Sequence, residues 1–321
     1  MFGFIVRRFL WAIFIFVVAT IITYVLFWIV PADPANLHAG STPGPAYVRE
    51  MRHYLRLDQP IWRQYVSFVW GLVGHGSLGS SLQNRQPVMT IIGKDAPVTA
   101  SLVLGGAVLW LTVSVPIGIF AAYRPRSWFD RFSMILVLCG ISAHPVWLGL
   151  ISSYVFGYKL GLTPIAGYCD FFSGSTTCSG PVQWAYHLVL PWTTFMILYA
   201  ALYVRLVRAS LLETLTEDYV RTARAKGASA KRVLVSHGLR NSLLPVVTIF
   251  GMDVGLALGG AIFTEVIYDL PGLGRELINA YSLDDEPLIV GIVLFSATCV
   301  LAFNFIIDVA YGFLDPRVRG R

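Results

Sequence analysis

The sequence predicts an all-α, polytopic membrane protein with six transmembrane helices and both termini in the cytoplasm. Composition is the first reason, because 56% of the 321 residues are hydrophobic and only 13% are charged, whereas soluble domains carry about 25% charged residues. The second is a set of six apolar runs that can cross a hydrocarbon core of about 30 Å. The third is the clustering of basic residues beside alternate runs, which is typical of topology signals. This clustering argues against a nucleic-acid partner despite the net charge of +6.

The first apolar run follows Arg7 and Arg8 and is longer than the core of a signal peptide. No small-residue cleavage site follows it, so we expect a retained span. Pro145 and Gly149 interrupt the third run, and Pro191 lies early in the fourth; neighbouring helices can compensate for such breaks. The predicted spans are residues 9–30, 99–123, 132–157, 187–207, 243–264 and 288–313.

The positive-inside rule orients the six spans consistently. Basic residues precede the first span, lie between the second and third and between the fourth and fifth, and follow the sixth. The connection after the fifth span is acidic instead, with Arg275 as its single basic residue. Both termini are therefore predicted to be cytoplasmic. The residues that mark this side are Arg7, Arg8, Arg124, Arg126, Arg131, Arg205, Arg208, Arg221, Arg224, Lys226, Lys231, Arg232, Arg240, Arg317, Arg319 and Arg321.

The predicted organisation has a first transmembrane helix at 1–30, an extracytoplasmic segment at 31–98, a five-helix core at 99–313 and a cytoplasmic tail at 314–321. The core includes a cytoplasmic loop at 208–243. Within the extracytoplasmic segment, apolar residues recur at helical spacing and include two tryptophans, which is typical of a helix lying in the membrane interface. A small folded cap packed on the bundle is the alternative, and both remain open. The spaced residues are Trp62, Tyr65, Val66, Val69, Trp70 and Val73.

The four cysteines fall into two kinds of environment. Cys139 and Cys299 lie within apolar runs and are predicted to be small buried hydrophobes. Cys169 and Cys178 share a loop rich in Gly, Ser and Thr, which the topology places outside, where an oxidising compartment favours a disulfide. The sequence contains no pattern of a zinc site, so no metal is expected.

The cytoplasmic loop between the fourth and fifth spans encodes two short helices. Thr216 is predicted to be the N-cap of the first, because acidic residues follow in its first turn, where the helix dipole favours anions. Gly227 is predicted to supply the left-handed residue that ends it. Ser229 is then predicted to cap a second helix from about Ala230 to Arg240, and Pro245 to open the fifth span. The alternative is an ordinary basic loop that only sets topology.

This loop resembles the EAA loop of ABC importer permeases, and most closely that of the dipeptide/oligopeptide and nickel importer branch. Thr222 stands where the motif has its first acidic residue, Arg224 replaces its second alanine, and Gly227 falls at its glycine. The matching runs are Asp218-Tyr-Val-Arg-Thr-Ala-Arg-Ala-Lys-Gly227 and His237-Gly-Leu-Arg-Asn-Ser-Leu-Leu-Pro245. Weaker matches in the family's order are Pro31-Ala-Asp-Pro34, Leu57-Asp-Gln-Pro60, Gly76-Ser-Leu-Gly-Ser-Ser-Leu82, Glu265-Val-Ile-Tyr-Asp-Leu-Pro-Gly-Leu-Gly274 and Asp315-Pro-Arg-Val-Arg319.

The resemblance implies a type I ABC importer permease in the bacterial plasma (inner) membrane, with peptides as cargo. It implies four kinds of partner: a second homologous permease subunit, two ATPase subunits or domains, an extracytoplasmic substrate-binding protein and membrane lipid. The chain itself would hold no cofactor and no catalytic residue, since ATP and magnesium would bind to the ATPase partners. The implied coupling helix consists of Glu217, Asp218, Tyr219, Val220, Arg221, Thr222, Ala223, Arg224, Ala225, Lys226 and Gly227.

Asp253 is the one acidic residue deep within a predicted span, which makes it a candidate for the translocation pathway. The alternative is a neutral carboxyl, or one bonded to a polar group of a neighbouring helix. Gly255 and Gly259 belong to a small-residue face of the same span, where close helix packing is the plain interpretation and a place beside the pathway is compatible with it. His144, before Pro145, is predicted to be an internal hydrogen-bond partner.

Two other classes of function fit the sequence less well. A secondary transporter or channel would show several buried ionisable groups or an inverted repeat. A membrane-embedded enzyme would show a catalytic constellation, whereas no HExxH, GxSxG or paired-acid pattern occurs, and Gly93-Lys94 lacks the rest of a phosphate-binding loop. The exact cargo stays open, because nickel complexes, haem and other small solutes use similar permeases.

Overall fold

The computed structural model describes residues 2–29, 49, 53, 59–172 and 178–314, and this part of the chain forms helices and no strand beyond isolated bridges. The predicted tail after residue 314 and most of the outer segment before residue 59 lie outside it, as do Pro31–Pro34 and Asp315–Arg319. The helices are α1 (Phe2–Tyr24), α2 (Ile61–His75), α3 (Val88–Tyr123), α4 (Trp128–Ser142), α5 (Pro145–Lys159), α6 (Pro181–Thr214), α7 (Asp218–Ala225), α8 (Ala230–Ser242), α9 (Leu244–Leu258), α10 (Ile262–Ile267), α11 (Leu273–Ser282) and α12 (Glu286–Leu314).

Four helices of the described chain, α1, α3, α6 and α12, are long and apolar enough to cross a membrane. Two more spans result if each of two bent pairs counts as one, namely α4 with α5 and α8 with α9. This agrees with a polytopic, all-α protein. The second span is longer than predicted, because α3 begins at Val88 and not at residue 99.

The predicted third span is not a continuous helix, because α4 and α5 meet at an angle of 102°. The chain becomes extended at Ala143 and His144, and Pro145 then starts a new helix, where its missing amide hydrogen costs nothing. His144 caps α5, with its Nδ1 accepting a hydrogen bond from the amide of Val146 at 3.3 Å. The histidine is therefore a hydrogen-bond partner, as predicted, but the prediction that it is internal is wrong, because its side chain is exposed and bonds locally.

The centre of the bundle is the contact between α3 and α6, which pack together along much of their length. Small residues on α3 make this possible, since a Cβ atom built on Gly118 would lie 2.7 Å from Cβ of Val207. Large side chains fill the remaining space, among them Trp110 and Tyr203, both fully buried. The helix pair thus forms a rigid frame on which the other helices are placed.

A second apolar cluster joins the start of α3 to α11 and α12 through Val88, Leu273 and Ile292. Asp285, which precedes α12 and is 1% exposed, accepts hydrogen bonds from Oγ of Ser81 and from the amide of Leu82. The chain before α3 is therefore fixed to the start of α12 by both apolar and polar contacts.

Helix α2 combines features of both structures predicted for the outer segment. Tyr65 on one face packs against Tyr24 of α1 and hydrogen-bonds to Oγ1 of Thr20 at 2.9 Å. The opposite face is an exposed apolar stripe of Trp62, Val66, Trp70 and Val73. The helix is docked on α1 and still presents an apolar surface of the kind that lies in a membrane interface.

The prediction that both free cysteines are buried is wrong for Cys139, which is exposed on α4, while Cys299 is partly buried. The lipid-facing surface of a membrane helix is as apolar as its packed surface. An apolar run therefore predicts membrane insertion but does not say which side chains face inward.

Candidate functional site

Helix α7 covers the central part of the predicted coupling helix. It begins at Asp218, with Glu217 in the N-cap position and no side-chain capping hydrogen bond. The prediction that Thr216 is the N-cap is wrong, because its hydroxyl donates to the carbonyl of Glu213 at 2.7 Å and so completes the end of α6. The Thr216 hydroxyl is therefore bonded to the end of α6 and does not cap α7.

The end of α7 is formed as predicted by Gly227, which has φ = +81°. Its amide donates to the carbonyl of Arg224 at 3.0 Å, and the next amide, that of Ala228, reaches back to Ala223 at 3.2 Å. No heavy atom lies within 4 Å of a Cβ built on Gly227. The constraint at this position is therefore the left-handed backbone and not a lack of space.

One edge of α7 is anchored to α8, and the other side is exposed. Val220 is fully buried, and the hydroxyl of Tyr219 accepts a hydrogen bond from Nδ2 of Asn241 at 2.9 Å. The opposite face carries Asp218 and Arg221, whose side chains are 97% and 70% exposed and pair at 3.5 Å. Such an exposed pair adds little stability. Its side chains can therefore exchange this contact for contacts with another protein at little cost.

The second helix of the loop differs from the prediction in its geometry. Ser229 occupies the N-cap position of α8 without a side-chain hydrogen bond. The helix continues to Ser242, beyond the predicted Arg240, and widens to π geometry at Val233–Leu239. Gly238 lies in this wide turn, and a Cβ on it would meet Leu211 of α6 at 3.1 Å. The loop helices are thus packed on the end of α6.

An ion pair that the sequence analysis did not predict fixes the base of this loop. The carboxylate of Asp130 in α4 accepts two hydrogen bonds from the guanidinium of Arg208 in α6, at 2.5 Å from Nε and 2.9 Å from Nη2. The amide of Arg126 donates to the same carboxylate at 2.8 Å. Asp130 is 3% exposed. This bidentate arrangement holds α4 and α6 together, shortly before α6 leads into α7.

Asp253 is partly buried and is hydrogen-bonded to a neighbouring helix, which is one of the alternatives that the sequence left open. Tyr203 of α6 donates its hydroxyl hydrogen to Oδ2 of Asp253 at 2.8 Å. On α3, Nε1 of Trp110 and Oγ of Ser114 are buried and have no hydrogen-bond partner among the described residues. Trp110 also packs against Tyr203, with ring centroids 5.8 Å apart.

The glycine face of α9 packs against α12 of the same chain. A Cβ on Gly255 would lie 2.9 Å from Cα of Val300, and one on Gly259 would lie 2.6 Å from Cβ of Ser296. Oγ of Ser296 also donates to the carbonyl of Gly259 at 2.9 Å. Gly255 and Gly259 are therefore packed closely against α12, and a place beside the pathway, which is compatible with this packing, stays a prediction.

The run from Glu265 to Gly274 forms a closed polar clamp at the other end of the bundle. Glu265 is fully buried and accepts hydrogen bonds from Oγ1 of Thr99 at 2.8 Å and from the amide of Gly274 at 2.7 Å. Burial raises the pKa of Glu265, while these donated hydrogen bonds act in the opposite direction. Thr99 in turn accepts from the amide of Leu273 at 2.9 Å. In the sequence, Glu265 belongs to the acidic connection after the fifth span and to the family match at Glu265–Gly274, and neither observation predicts these contacts.

Cys169 and Cys178 are joined by a disulfide in the structure. His187 of α6 lies beside them, with Nδ1 at 3.1 Å from Sγ of Cys169. Among the described residues these three side chains form the one group with metal-ligand spacing. Sulfur atoms in a disulfide are not thiolates, and the thiolate is the form that binds metals.

Two related family models match this chain over most of its length. A family model described as "Binding-protein-dependent transport system inner membrane component" matches residues 114–320, and its N-terminal companion matches residues 1–103. The first match includes α7, α8 and α9, together with Asp130 and Arg208. The second includes α1 and α2.

Individual relatives match along nearly the whole chain. The sequence is 37% identical to a putative peptide transport system permease protein of Brucella abortus (strain 2308), over 98% of each chain. It is 36% identical to the dipeptide transport system permease protein DppB of Escherichia coli (strain K12), over 99% of each chain. It is 37% identical to the di/tripeptide transport system permease protein DppB of Pseudomonas aeruginosa (strain UCBPP-PA14), again over 99% of each.

Proposed function

Because the chain belongs to the family of binding-protein-dependent transport system inner membrane components, we infer that it is the permease subunit of a peptide ABC importer. It is a multi-pass protein of the bacterial inner membrane. The observation that carries this conclusion is the end-to-end similarity to permeases named for peptide, dipeptide and di/tripeptide transport. The apolar helical bundle is the structure that this function requires.

Such a permease works with an ATPase and with a substrate-binding protein. In finer detail, we propose that a second, homologous permease subunit completes the pathway and that two ATPase subunits or domains bind ATP and magnesium. The binding protein would deliver substrate at the end of the bundle opposite α7. No ATP-binding motif occurs in this sequence, which supports placing hydrolysis on the partners. The chain would then contribute transport and no catalytic residue.

Residues 217–227 are proposed to receive the force of ATP hydrolysis. Two features of α7 and one contact at the base of the loop support this role. Its outer face, with Asp218 and Arg221, is exposed. Its inner edge is anchored through Val220 and through the hydrogen bond between Tyr219 and Asn241, so that a push on α7 reaches α8. The ion pair of Asp130 with Arg208 then joins the adjacent ends of α4 and α6.

Asp253 is proposed to border the translocation pathway in the assembled importer. It is partly buried within this chain and is held by Tyr203. A carboxylate at this depth is costly unless it faces a partner or a water-filled cavity. The interface with the second permease subunit would supply that cavity, and the carboxylate would contact the amino end of a passing peptide.

The proposed function is tested by transport in reconstituted vesicles. The importer, purified with its ATPase and permease partners, is placed in liposomes with ATP inside and the binding protein with labelled Ala-Ala outside. We expect uptake that requires ATP and is unaffected by an uncoupler that collapses ion gradients. Uptake driven by an ion gradient without ATP would contradict the proposal, and so would transport of nickel ions with no transport of peptides.

A further inference from the structure

A cavity of about 270 Å³ with charged residues in its wall lies between the first turns of α3 and helix α11. Two consecutive charged residues from each helix contribute to its lining: Lys94 and Asp95 from α3, and Arg275 and Glu276 from α11. Amide side chains, including that of Asn279, also line it. None of these residues belongs to the proposed coupling site or to the surroundings of Asp253.

The cavity is at the end of the bundle opposite α7. Helix α3 has 36 residues, which corresponds to a length of about 54 Å at 1.5 Å per residue. Just after the last turn of α3, the amide of Arg126 donates to the carboxylate of Asp130. Asp130 also pairs with Arg208, near the end of α6 that leads into α7. The first turns of α3, with Lys94 and Asp95, are therefore at the far end, where the proposed function places delivery of substrate.

The charges in the cavity are incompletely paired within the chain. Asp95 is only 8% exposed, and among the described residues its carboxyl group has no hydrogen bond or ion pair, although the charge of Lys94 acts on it. Arg275 already pairs with Asp269 at 2.8 Å. Glu276 accepts one hydrogen bond, from Nδ2 of Asn279 at 3.3 Å. A buried carboxylate is stabilised by hydrogen bonds from a cation, and Asp95 receives none from Lys94 or Arg275, the two cationic residues in the wall.

We propose that this cavity is a receiving site for a free peptide, with Asp95 and Glu276 binding the terminal ammonium group. Lys94, which is exposed, and Arg275 lie beside the two acids and would face the peptide carboxylate. A water molecule takes up about 30 Å³ in the liquid, so the cavity has room for the end of a small peptide. This inference rests on the proposed function, because it specifies where a peptide cargo first contacts the permease.

The size of the cavity favours a small ligand over a protein surface. Pockets for drug-sized molecules measure about 300–1,000 Å³, and this cavity of about 270 Å³ is near the lower end. Both charge signs are present in the lining, since Lys94 and Arg275 stand beside Asp95 and Glu276 in the same cavity wall. A zwitterion carries both complementary groups on one molecule.

The test measures binding of labelled Ala-Ala to the full chain in lipid nanodiscs, without the binding protein. N-acetyl-Ala-Ala, which lacks the ammonium group, and Ala-Ala-amide, which lacks the carboxylate, are measured as competitors. We expect Ala-Ala to bind and N-acetylation to weaken binding about tenfold or more, since a hydrogen-bonded ion pair is lost. The Asp95→Asn and Glu276→Gln variants should show the same loss for Ala-Ala, whereas Asp170→Asn, an exposed residue outside the cavity, should bind normally.

Three results would overturn the inference. These are no binding of Ala-Ala to the wild-type chain, equal binding of the acetylated peptide, or unchanged binding in both cavity variants. Weakened docking of the binding protein on Asp95→Asn with unchanged binding of Ala-Ala would assign the cavity to a protein contact and would also reject it. ATP-driven uptake by the wild-type importer tests the proposed function separately. If the wild-type importer takes up peptide normally while neither Asp95→Asn nor N-acetylation weakens binding, the peptide site in the cavity is contradicted and the proposed function is not.

Discussion

At the scale of single residues, the absence of a side chain is the decisive property at two places. Gly227 ends α7 with a left-handed backbone, φ = +81°. Gly255 lets α9 approach α12 until the backbone at Val300 is 2.9 Å from where a Cβ would lie. The two glycines are needed for different reasons, since the first has open space around it and the second has none. Their substitutions should therefore fail in different ways.

Replacing Gly227 with valine should uncouple ATP hydrolysis from transport. A β-branched residue is strongly disfavoured at positive φ, so the end of α7 and its connection to α8 would change. The matched control is Gly227→Asn, because asparagine tolerates the left-handed region far better. The measurement is the number of peptides transported per ATP hydrolysed by the reconstituted importer. We expect a several-fold lower ratio for valine and a near-normal one for asparagine; equal ratios in all three proteins would refute the role of this backbone geometry.

Replacing Gly255 with alanine should destabilise the chain itself. The added methyl group would meet backbone atoms of α12 that cannot rotate away, and overpacking of this kind costs about 1–3 kcal/mol. Gly93→Ala in α3 is the control, because no atom lies within 4 Å of its Cβ position and alanine is the better helix former. Thermal unfolding in nanodiscs would compare the two. A Gly255→Ala variant as stable as Gly93→Ala would contradict the packing described here.

At the scale of elements, the ends of the helices carry the contacts that give the bundle its shape. Asp130 joins α4 to α6 through Arg208. Glu265 joins the start of α11 to α3 through Thr99. Asp285 fixes the residues before α3 to α12. All three carboxylates are at most 3% exposed, and the hydrogen bonds they accept offset the cost of burying them.

Removing the charge of Asp130 should loosen α4 from α6. In the Asp130→Asn variant Arg208 loses its bidentate partner, and breaking a buried ion pair costs about 3–5 kcal/mol. The comparison variant is Arg221→Gln, which breaks the exposed pair with Asp218, where the expected change is below about 1 kcal/mol. Denaturant unfolding of the purified chain measures both. Equal effects of the two substitutions on the free energy of unfolding would contradict the stabilising role of the ion pair between Asp130 and Arg208.

The sequence predicts the long membrane helices but not the contacts that the buried carboxylates make between them. Hydropathy and charge placement predict α1, α3, α6 and α12, because long apolar runs leave few alternatives. They do not predict the 102° turn before Pro145, since a proline in a span is compatible with both a kink and a break. They also give Asp130 and Glu265 no role, because the partners of these acids come from other helices and become neighbours only in the fold.

At the scale of the whole molecule, the packed pair of α3 and α6 joins the two ends of the chain for which functions are proposed. One end presents α7, with an exposed polar face and an anchored apolar edge. The other end carries the Glu265 clamp and the charged cavity around Asp95. The sequence predicted the first end through a motif that occupies one continuous stretch. The cavity was not predicted, because its residues lie on two elements far apart in the sequence.

The central claim is that α7 is the contact through which ATPase partners drive the permease, and site-specific photo-crosslinking tests it directly. A benzoylphenylalanine probe is placed at Thr222, which is exposed on α7, and in a second protein at Ser282, which is exposed at the end of α11. The transport-competent importer is irradiated in membranes, and the captured protein is identified by mass spectrometry. We expect the probe at residue 222 to capture the ATPase subunit and the probe at residue 282 not to do so. Capture of the ATPase from residue 282, or its absence at residue 222 in an importer that still transports peptides, would contradict the claim.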